Sequence, residues 1–300
     1  MGERVYKNAA ALEMAVKAAA RRSGQDVGKA IEAYYPGRLL ERVFSVEEPT
    51  FILKGGRGVL ARTTDARFTR DTDVIYEGHS LDDALEELKH LAAIDLGDFL
   101  EFRFVSADRI AEDQEYRDGY RVVFTPVLGG TKMMSNVLID LVVDQVDSGS
   151  ADVLKPANRL DVEGLPAFDY HVYPVVSAVA DKVCATMQTY SGGRPSSRVR
   201  DLADIVVYAT VEPMDGRSLS ERLALESGLR RVDLSRGFSI PEGWHGALSR
   251  SFARSAREAR IPEGLCDVDE AERLAKRCVD PAIAGEVDGM TWDHRRLQWL

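Results

Sequence analysis

A short apolar run, Phe51-Ile52-Leu53, stops at Lys54-Gly55-Gly56, and fifteen residues after Gly56 the chain reads Asp71-Thr72-Asp73. These two features constrain the fold more than any others. An apolar run of that length bounded by glycines predicts a buried strand. Consecutive glycines leading into a helix expose backbone N–H groups in a turn, a geometry that suits phosphate oxygens. Asp71 and Asp73 stand at the start of a second predicted strand, Thr72 to Tyr76, where a period of two turns both carboxylates to one side. Two acids so placed repel each other unless a cation lies between them. Hard oxygen donors suit Mg²⁺, with Mn²⁺ as a substitute.

Each element alone has a plainer meaning. A lone Gly-Gly is a turn, and a lone Asp-x-Asp is a common surface pattern. Their order on strand, turn, short helix and second strand is what carries specificity. Asp140 is the candidate third acid, being the only polar residue in the predicted strand Val137 to Val143. Burial there would need a partner or a metal, and the alternative is a carboxylate facing solvent. Asp144 and Asp147 are more loop-like and read as solvated. Between Lys54 and Arg70 five basic residues (Lys54, Arg57, Arg62, Arg67, Arg70) face the single acid Asp65, and Arg194, Arg198 and Arg200 form a second cluster. Each cluster by itself would be a solvated face.

The rest of the first half predicts mixed α/β structure. A helix spans Ala9 to Arg22, and a second covers Leu39 to Phe44 after a break at Tyr35-Pro36-Gly37. Gly58 to Thr64 makes one or two helical turns. Ser80 with Asp83 resembles a capping box opening a helix through Leu91. Glu101 to Val105 alternates as a strand, and Asp118-Gly119 predicts a hairpin turn. After Ser148-Gly149-Ser150 the pattern becomes helical, over Val175–Thr189, Arg200–Ala209, Leu219–Leu229, Trp244–Arg260 and Val268–Val279. The expected organisation is α+β: an α/β domain over 1–160 and a helical domain over 161–300.

Composition is that of a globular chain, 45% apolar and 29% charged. Met1 to Asn8 is polar with no apolar core after it, so no signal peptide is expected. No apolar stretch approaches the roughly 20 residues that cross a bilayer. Cys184, Cys266 and Cys278 lie outside any CxxC pair, which predicts a reducing, cytoplasmic setting and no structural zinc site. The five histidines have no metal-ligand spacing, and Trp244, Trp292 and Trp299 read as packing anchors. A net charge of −10 means that any nucleic-acid partner must be held by local basic patches.

Phe51 to Asp73 resembles the first motif of the AbiEii/AbiGii toxin family of nucleotidyltransferases, with its MenT branch, within the polymerase-beta-like superfamily. The resemblance continues at Tyr173-Pro174 and Ala180 to Ala185, which is similar to the family's lysine helix, and at Arg198 to Asp204, similar to its Arg/Asp helix. Phe238 to Trp244, Val279-Asp280-Pro281 and Thr291-Trp292-Asp293 follow in the same order, so the similarity spans roughly residues 40 to 295. It departs at Arg57, where the family often has Ser or Thr directly after the glycines.

The residues themselves leave alternatives here. Lys182 could be a snorkelling stem with a solvated head, and Arg200/Asp204 and Arg198/Asp201 could be surface ion pairs at i,i+4 and i,i+3. The resemblance instead implies that Lys182, Arg200, Asp201 and Asp204 wall a nucleotide pocket. It implies Asp71, Asp73 and Asp140 as metal and catalytic ligands, and Gly55, Gly56, Arg57 and Arg70 as groups around the triphosphate. The implied activity is Mg²⁺-dependent transfer of a nucleotide from a nucleoside triphosphate to an acceptor hydroxyl, with the 3′ end of tRNA as the acceptor in the MenT branch. The implied setting is the toxin of a toxin–antitoxin or phage-defence pair, with a cognate antitoxin encoded nearby and no membrane. Transfer to a protein or to a small molecule such as an antibiotic, and a non-catalytic nucleotide-binding regulator, are the rival expectations.

Overall fold

The computed structural model describes residues 5–64, 66–110, 117–133, 135–144 and 149–300. Asp65, Tyr116, Asp147 and Ser148 lie outside the described residues. The chain forms two compact units. One comprises Met1–Arg62, Thr69–Asp147 and Ala151–Val172; the other comprises Thr63–Phe68, Ser148–Ser150 and Tyr173–Leu300.

The first unit is a mixed sheet with helices. Its strands are β1 (Phe51–Lys54), β2 (Thr72–Tyr76), β3 (Leu100–Ile110), β4 (Arg117–Leu128), β5 (Thr131–Lys132), β6 (Val137–Asp144), β7 (Asp152–Leu154) and β8 (Tyr170–Val172). They run in the order β3-β4-β6-β2-β1-β8-β7, with β5 paired to β4. The pairs β2/β6 and β1/β8 are parallel and the others antiparallel. Because β8 pairs with β1, the sheet keeps the chain as far as Val172, and the change of unit comes at Tyr173 rather than at residue 161.

Helices α1 (Ala9–Arg22), α2 (Val27–Val43), α3 (Gly55–Arg62) and α4 (Leu81–Ala92) belong to this unit. Side-chain oxygens of Asn8, Asp26 and Ser80 cap α1, α2 and α4 by accepting from Ala11, Lys29 and Asp83 N–H groups. Leu12, Leu39 and Leu88 join Phe51, Leu53, Val74, Leu141 and Phe124 in one core cluster, so helices cover one face of the sheet.

Two expectations are corrected. The break at Pro36-Gly37 does not occur, and α2 runs through it. Proline inside a helix forfeits one hydrogen bond and costs about 3 kcal/mol. Here Tyr34, Leu39, Leu40 and Val43 are buried on the same helix, and Arg38 and Arg42 bind the buried Asp98, which offsets that cost. Asp118-Gly119 is not a hairpin turn but lies within β4, opposite Val143 and Val142 of β6. The β3–β4 connection comes earlier, since Ile110 pairs with Gly119. Period-two pairing on both sides outweighs the local turn preference of the dipeptide.

The second unit is helical, with α5 (Val175–Met187), α6 (Val199–Val211), α7 (Gly216–Arg230), α8 (Ser249–Glu258) and α9 (Val268–Ile283). The helix expected over 244–260 is instead a 3-10 turn at Glu242–His245 followed by α8, with Gly246 at φ −115°, ψ −83° between them. Two small sheets were not legible in the pattern: β9 (Thr189–Tyr190) with β10 (Arg194–Pro195), and β11 (Met214–Asp215) with β12 (Thr291–Asp293) and β13 (Gln298–Trp299). Trp244 and Trp292 are buried and donate their indole N–H to Ser196 O and Ala209 O. The three cysteines are buried and unpaired. No helix among the described residues is long and apolar enough to cross a membrane.

Candidate active site

The register of the sheet brings four charged residues into one row. Lys54 on β1 stands opposite Asp73 on β2, Asp73 opposite Asp140 on β6, and Asp140 opposite Arg121 on β4. Directly paired residues share a face of the sheet, with Cβ atoms about 5 Å apart. The order is therefore cation, anion, anion, cation. One position along, Leu53, Val74 and Leu141 pair in the same way and belong to the core, so the charged row lies on the face away from it. Asp71 precedes Asp73 by two and is exposed, while Thr72 between them is buried. That alternation turns Asp71 to the side of the row, as the Asp-x-Asp spacing predicts.

Arg121 grips Asp140 with both ends of its fork, Nε to Oδ1 at 2.8 Å and Nη2 to Oδ2 at 2.7 Å. This bond holds the guanidinium charged well above its usual range, and the nearby carboxylates of Asp71 and Asp73 add to the effect. Sequence inspection missed Arg121 and gave Lys54 no role in the site. Their placement depends on which strands pair, and local spacing carries no signal for that.

The glycine turn is built against Asp73. Gly55 adopts φ +64°, and a Cβ there would overlap the Asp73 carboxylate. Helix α3 begins at Gly55 itself, so its first N–H groups come from the turn. At Gly56 an added Cβ would meet Thr69 Cβ and Cγ2 at 3.1 Å. Arg57 does not stand at an open turn: it is buried, and Tyr170, Asp73, Asp71 and Glu32 act on its charge. Arg70 is exposed and pairs with Glu32 of α2 at 2.7 Å.

The helical unit gathers its own cluster. Lys182 Nζ lies 2.7 Å from Asp204 Oδ2 and 3.2 Å from Asp201 Oδ1, and all three side chains are buried. Burial alone would lower the lysine pKa, but Asp204 and Asp201 outweigh it and hold the ammonium well above its ordinary range. Its head is thus neither solvated nor free. Arg198 pairs with Asp201 at 2.6 Å, as its spacing suggested. Asp204 turns instead to Lys182 and to Arg67 at 3.5 Å, leaving Arg200 exposed.

The donor set can be tested against a divalent metal. Asp71 and Asp73 supply hard oxygens from one side of a strand end, and the missing side chain of Gly55 leaves room for the Asp73 carboxylate. That pair fits a cation such as Mg²⁺, which takes few protein carboxylates and completes its shell with water and phosphate. Asp140 fits less simply, since both its oxygens are on Arg121. Among the described residues no group of three or more acidic, His or Cys side chains is disposed to hold a metal. The expected trio is a pair beside an arginine-bound third acid.

Comparison with known proteins places the chain in a family. No curated protein matches the sequence. Among solved structures, JHP933 from Helicobacter pylori has a TM-score of 0.43 and 14% identity over 87% of this chain and 97% of its own. A second H. pylori structure, described as a candidate nucleotidyltransferase, has a TM-score of 0.41 and 13% identity over 86% of this chain and 97% of its own. The family model described as "Nucleotidyl transferase AbiEii toxin, Type IV TA system" matches residues 38–277, from α2 into α9, and the chain belongs to that family.

Proposed function

We propose that the chain transfers a nucleotide from a nucleoside triphosphate to the 3′-hydroxyl of tRNA, with Asp71 and Asp73 holding Mg²⁺. The observation that carries this is the packing of the Asp73 carboxylate against Gly55, in register with Asp140. It joins an anion-binding turn to a cation-binding pair on one strand end. In the reaction the acceptor oxygen bonds to the α-phosphorus, the bond to the β-phosphate oxygen breaks, and pyrophosphate leaves; the hydroxyl proton passes to a base. A divalent cation would stabilise the attacking and leaving oxygens.

The chain's own residues supply the rest. N–H groups at Gly55 and Gly56 orient phosphate oxygens, with the helix dipole of α3 favouring their charge. Asp73 is fixed by the glycine turn, and Asp71 is exposed to incoming ligands. Asp140 is the base of the proposal once one oxygen leaves Arg121. Arg70 pairs with Glu32 through Nε, so its terminal N–H groups are the ones that would meet a phosphate. Lys182 neutralises Asp201 and Asp204 with two of its three N–H donors. A cognate antitoxin is the partner that the family description implies.

The test is incubation of the pure protein and Mg²⁺ with each labelled triphosphate and separate pools of tRNA, protein and small molecules. Label on the tRNA 3′ end, absent with Asp71→Asn and Asp73→Asn, is the expected result. Label only on protein or a small molecule would overturn the acceptor and leave the chemistry. Nucleotide binding without metal-dependent turnover in any pool would overturn the chemistry itself.

A further inference from the structure

Inside the sheet unit, a cavity lies between α2, the start of α3 and the segment 158–167. Among the polar side chains that line it and are more than nine-tenths buried, Tyr34, Arg38 and Arg57 are 4%, 6% and 5% exposed. Each has an atom with no hydrogen-bond partner: Tyr34 Oη, Arg38 Nη2 and Arg57 Nε. A buried donor left unmade bears its full desolvation penalty, so three around one cavity call for an occupant. Arg38 already serves Asp98 and Pro166 O with its other nitrogens. Arg57 is different: among the described residues no carboxylate comes close enough to form an ion pair with it.

The geometry points to a binding site for a small phosphate monoester with an apolar body, in a cavity walled by Ala33, Leu40 and Leu53. Three unpartnered donors on the lining of one cavity equal in number the three terminal oxygens of a phosphate monoester, and Arg57 supplies a charge that a neutral ligand would leave unused. Burial brings the Arg57 guanidinium down to about 10, which keeps it charged at neutral pH. Burial also holds the Tyr34 phenol well above its usual range, so it remains a donor. Of the carboxylates on the wall, Glu41 is taken by Arg159 and by the Phe168 N–H, and Asp161 is exposed. The site stands independently of the transferase proposal.

Calorimetry on the full chain in chelator-containing, metal-free buffer tests it, with phenyl phosphate and inorganic phosphate as probes. Phenyl phosphate should bind the wild type one-to-one and more tightly than inorganic phosphate. Tyr34→Phe should weaken it about five- to tenfold, the worth of one hydrogen bond. Ala33→Phe, which fills the cavity, should abolish it, with thermal melts confirming that both variants fold. Asp73→Asn should retain it, which separates this site from the proposed metal pair. The absence of saturable phenyl phosphate binding, or equal affinity in wild type and Tyr34→Phe, would overturn the proposal and assign the cavity to water. Tyr34→Phe alone decides the matter if Ala33→Phe fails to fold.

Discussion

The Asp73 carboxylate occupies the space that a side chain on Gly55 would need. Gly55 also holds φ +64°, which an L side chain adopts at a cost. Gly55→Ala should therefore lose about 1–3 kcal/mol of stability and displace Asp73, removing transfer activity. Gly56→Ala should do less, since φ there is not positive and its nearest contacts are Thr69 carbons at 3.1 Å. Denaturant titration of both variants beside a transfer assay checks the order. Wild-type stability and activity in Gly55→Ala would contradict it.

The Asp71/Asp73 pair sets a second expectation. Asp71→Asn and Asp73→Asn should each reduce transfer by ~10²-fold or more, as loss of one preorganised electrostatic contact usually does. Arg121→Gln should cost at most about 1 kcal/mol, because its side chain is half exposed and such pairs contribute little. It frees both Asp140 oxygens, so Mg²⁺ affinity measured by calorimetry should rise. Unchanged metal affinity in Arg121→Gln would mean that Asp140 is not a ligand even when released.

Lys182 has become a stability prediction as well as a kinetic one. Removing it leaves Asp201 with Arg198 alone and Asp204 with only Arg67 at 3.5 Å, and breaking a buried pair costs up to roughly 3–5 kcal/mol. Lys182→Met should lower the melting temperature clearly, and adding Asp204→Asn should recover part of the loss. A melt like that of the wild type would show that the cluster is not the anchor its burial implies. Activity of Lys182→Met is interpretable only beside that melt.

What was legible in the sequence was what local pattern encodes. Strand β2 and the start of β1 follow from short apolar runs and glycine punctuation, and the Ser80 cap from one hydroxyl before a periodic segment. Asp71 and Asp73 follow from a spacing of two. The Asp140–Arg121 pair, the Lys54–Asp73 register and the Lys182–Asp204 bond join residues 19, 19 and 22 positions apart in the chain. Only strand pairing and helix packing bring these together. Pro36 and Asp118-Gly119 were misjudged for the converse reason: local preferences of a few kcal/mol yield to burial and pairing on both sides.

The Asp98 cluster gives a pH dependence with a definite sign. Asp98 is fully buried and binds Arg42 Nη2 at 2.7 Å and Arg38 Nε at 2.8 Å. Burial alone would raise its carboxyl pKa, but Arg42 and Arg38 outweigh that and hold it below the ordinary carboxylate value. A depressed folded pKa means that the stabilisation is complete above the unfolded value, about 3.9, and is lost as pH falls through the folded one. Asp98→Asn should destabilise the protein at neutral pH and flatten the acid limb of its stability profile. An unchanged acid limb in that variant would assign acid unfolding to other carboxylates.

The proposed RNA acceptor must be reconciled with a net charge of −10, so it rests on particular basic side chains. Arg198 is a poor choice for a charge reversal, because a new acid would face Asp201 and disturb the Lys182 cluster. Arg200 is exposed, and among the described residues no carboxylate pairs with it; Arg194 is also exposed, on β10. Reversing these two should leave the fold and nucleotide binding near wild type while reducing tRNA modification several-fold. A single-stranded 3′ end offers few phosphates, so the dependence of binding on salt should be shallow in the wild type. Each lost phosphate contact lowers that slope by roughly 0.7 to 0.9, so the double variant should be shallower still. Equal tRNA modification and an equal salt slope in Arg194→Glu/Arg200→Glu would remove this patch from the RNA path and leave the sheet unit's chemistry untouched.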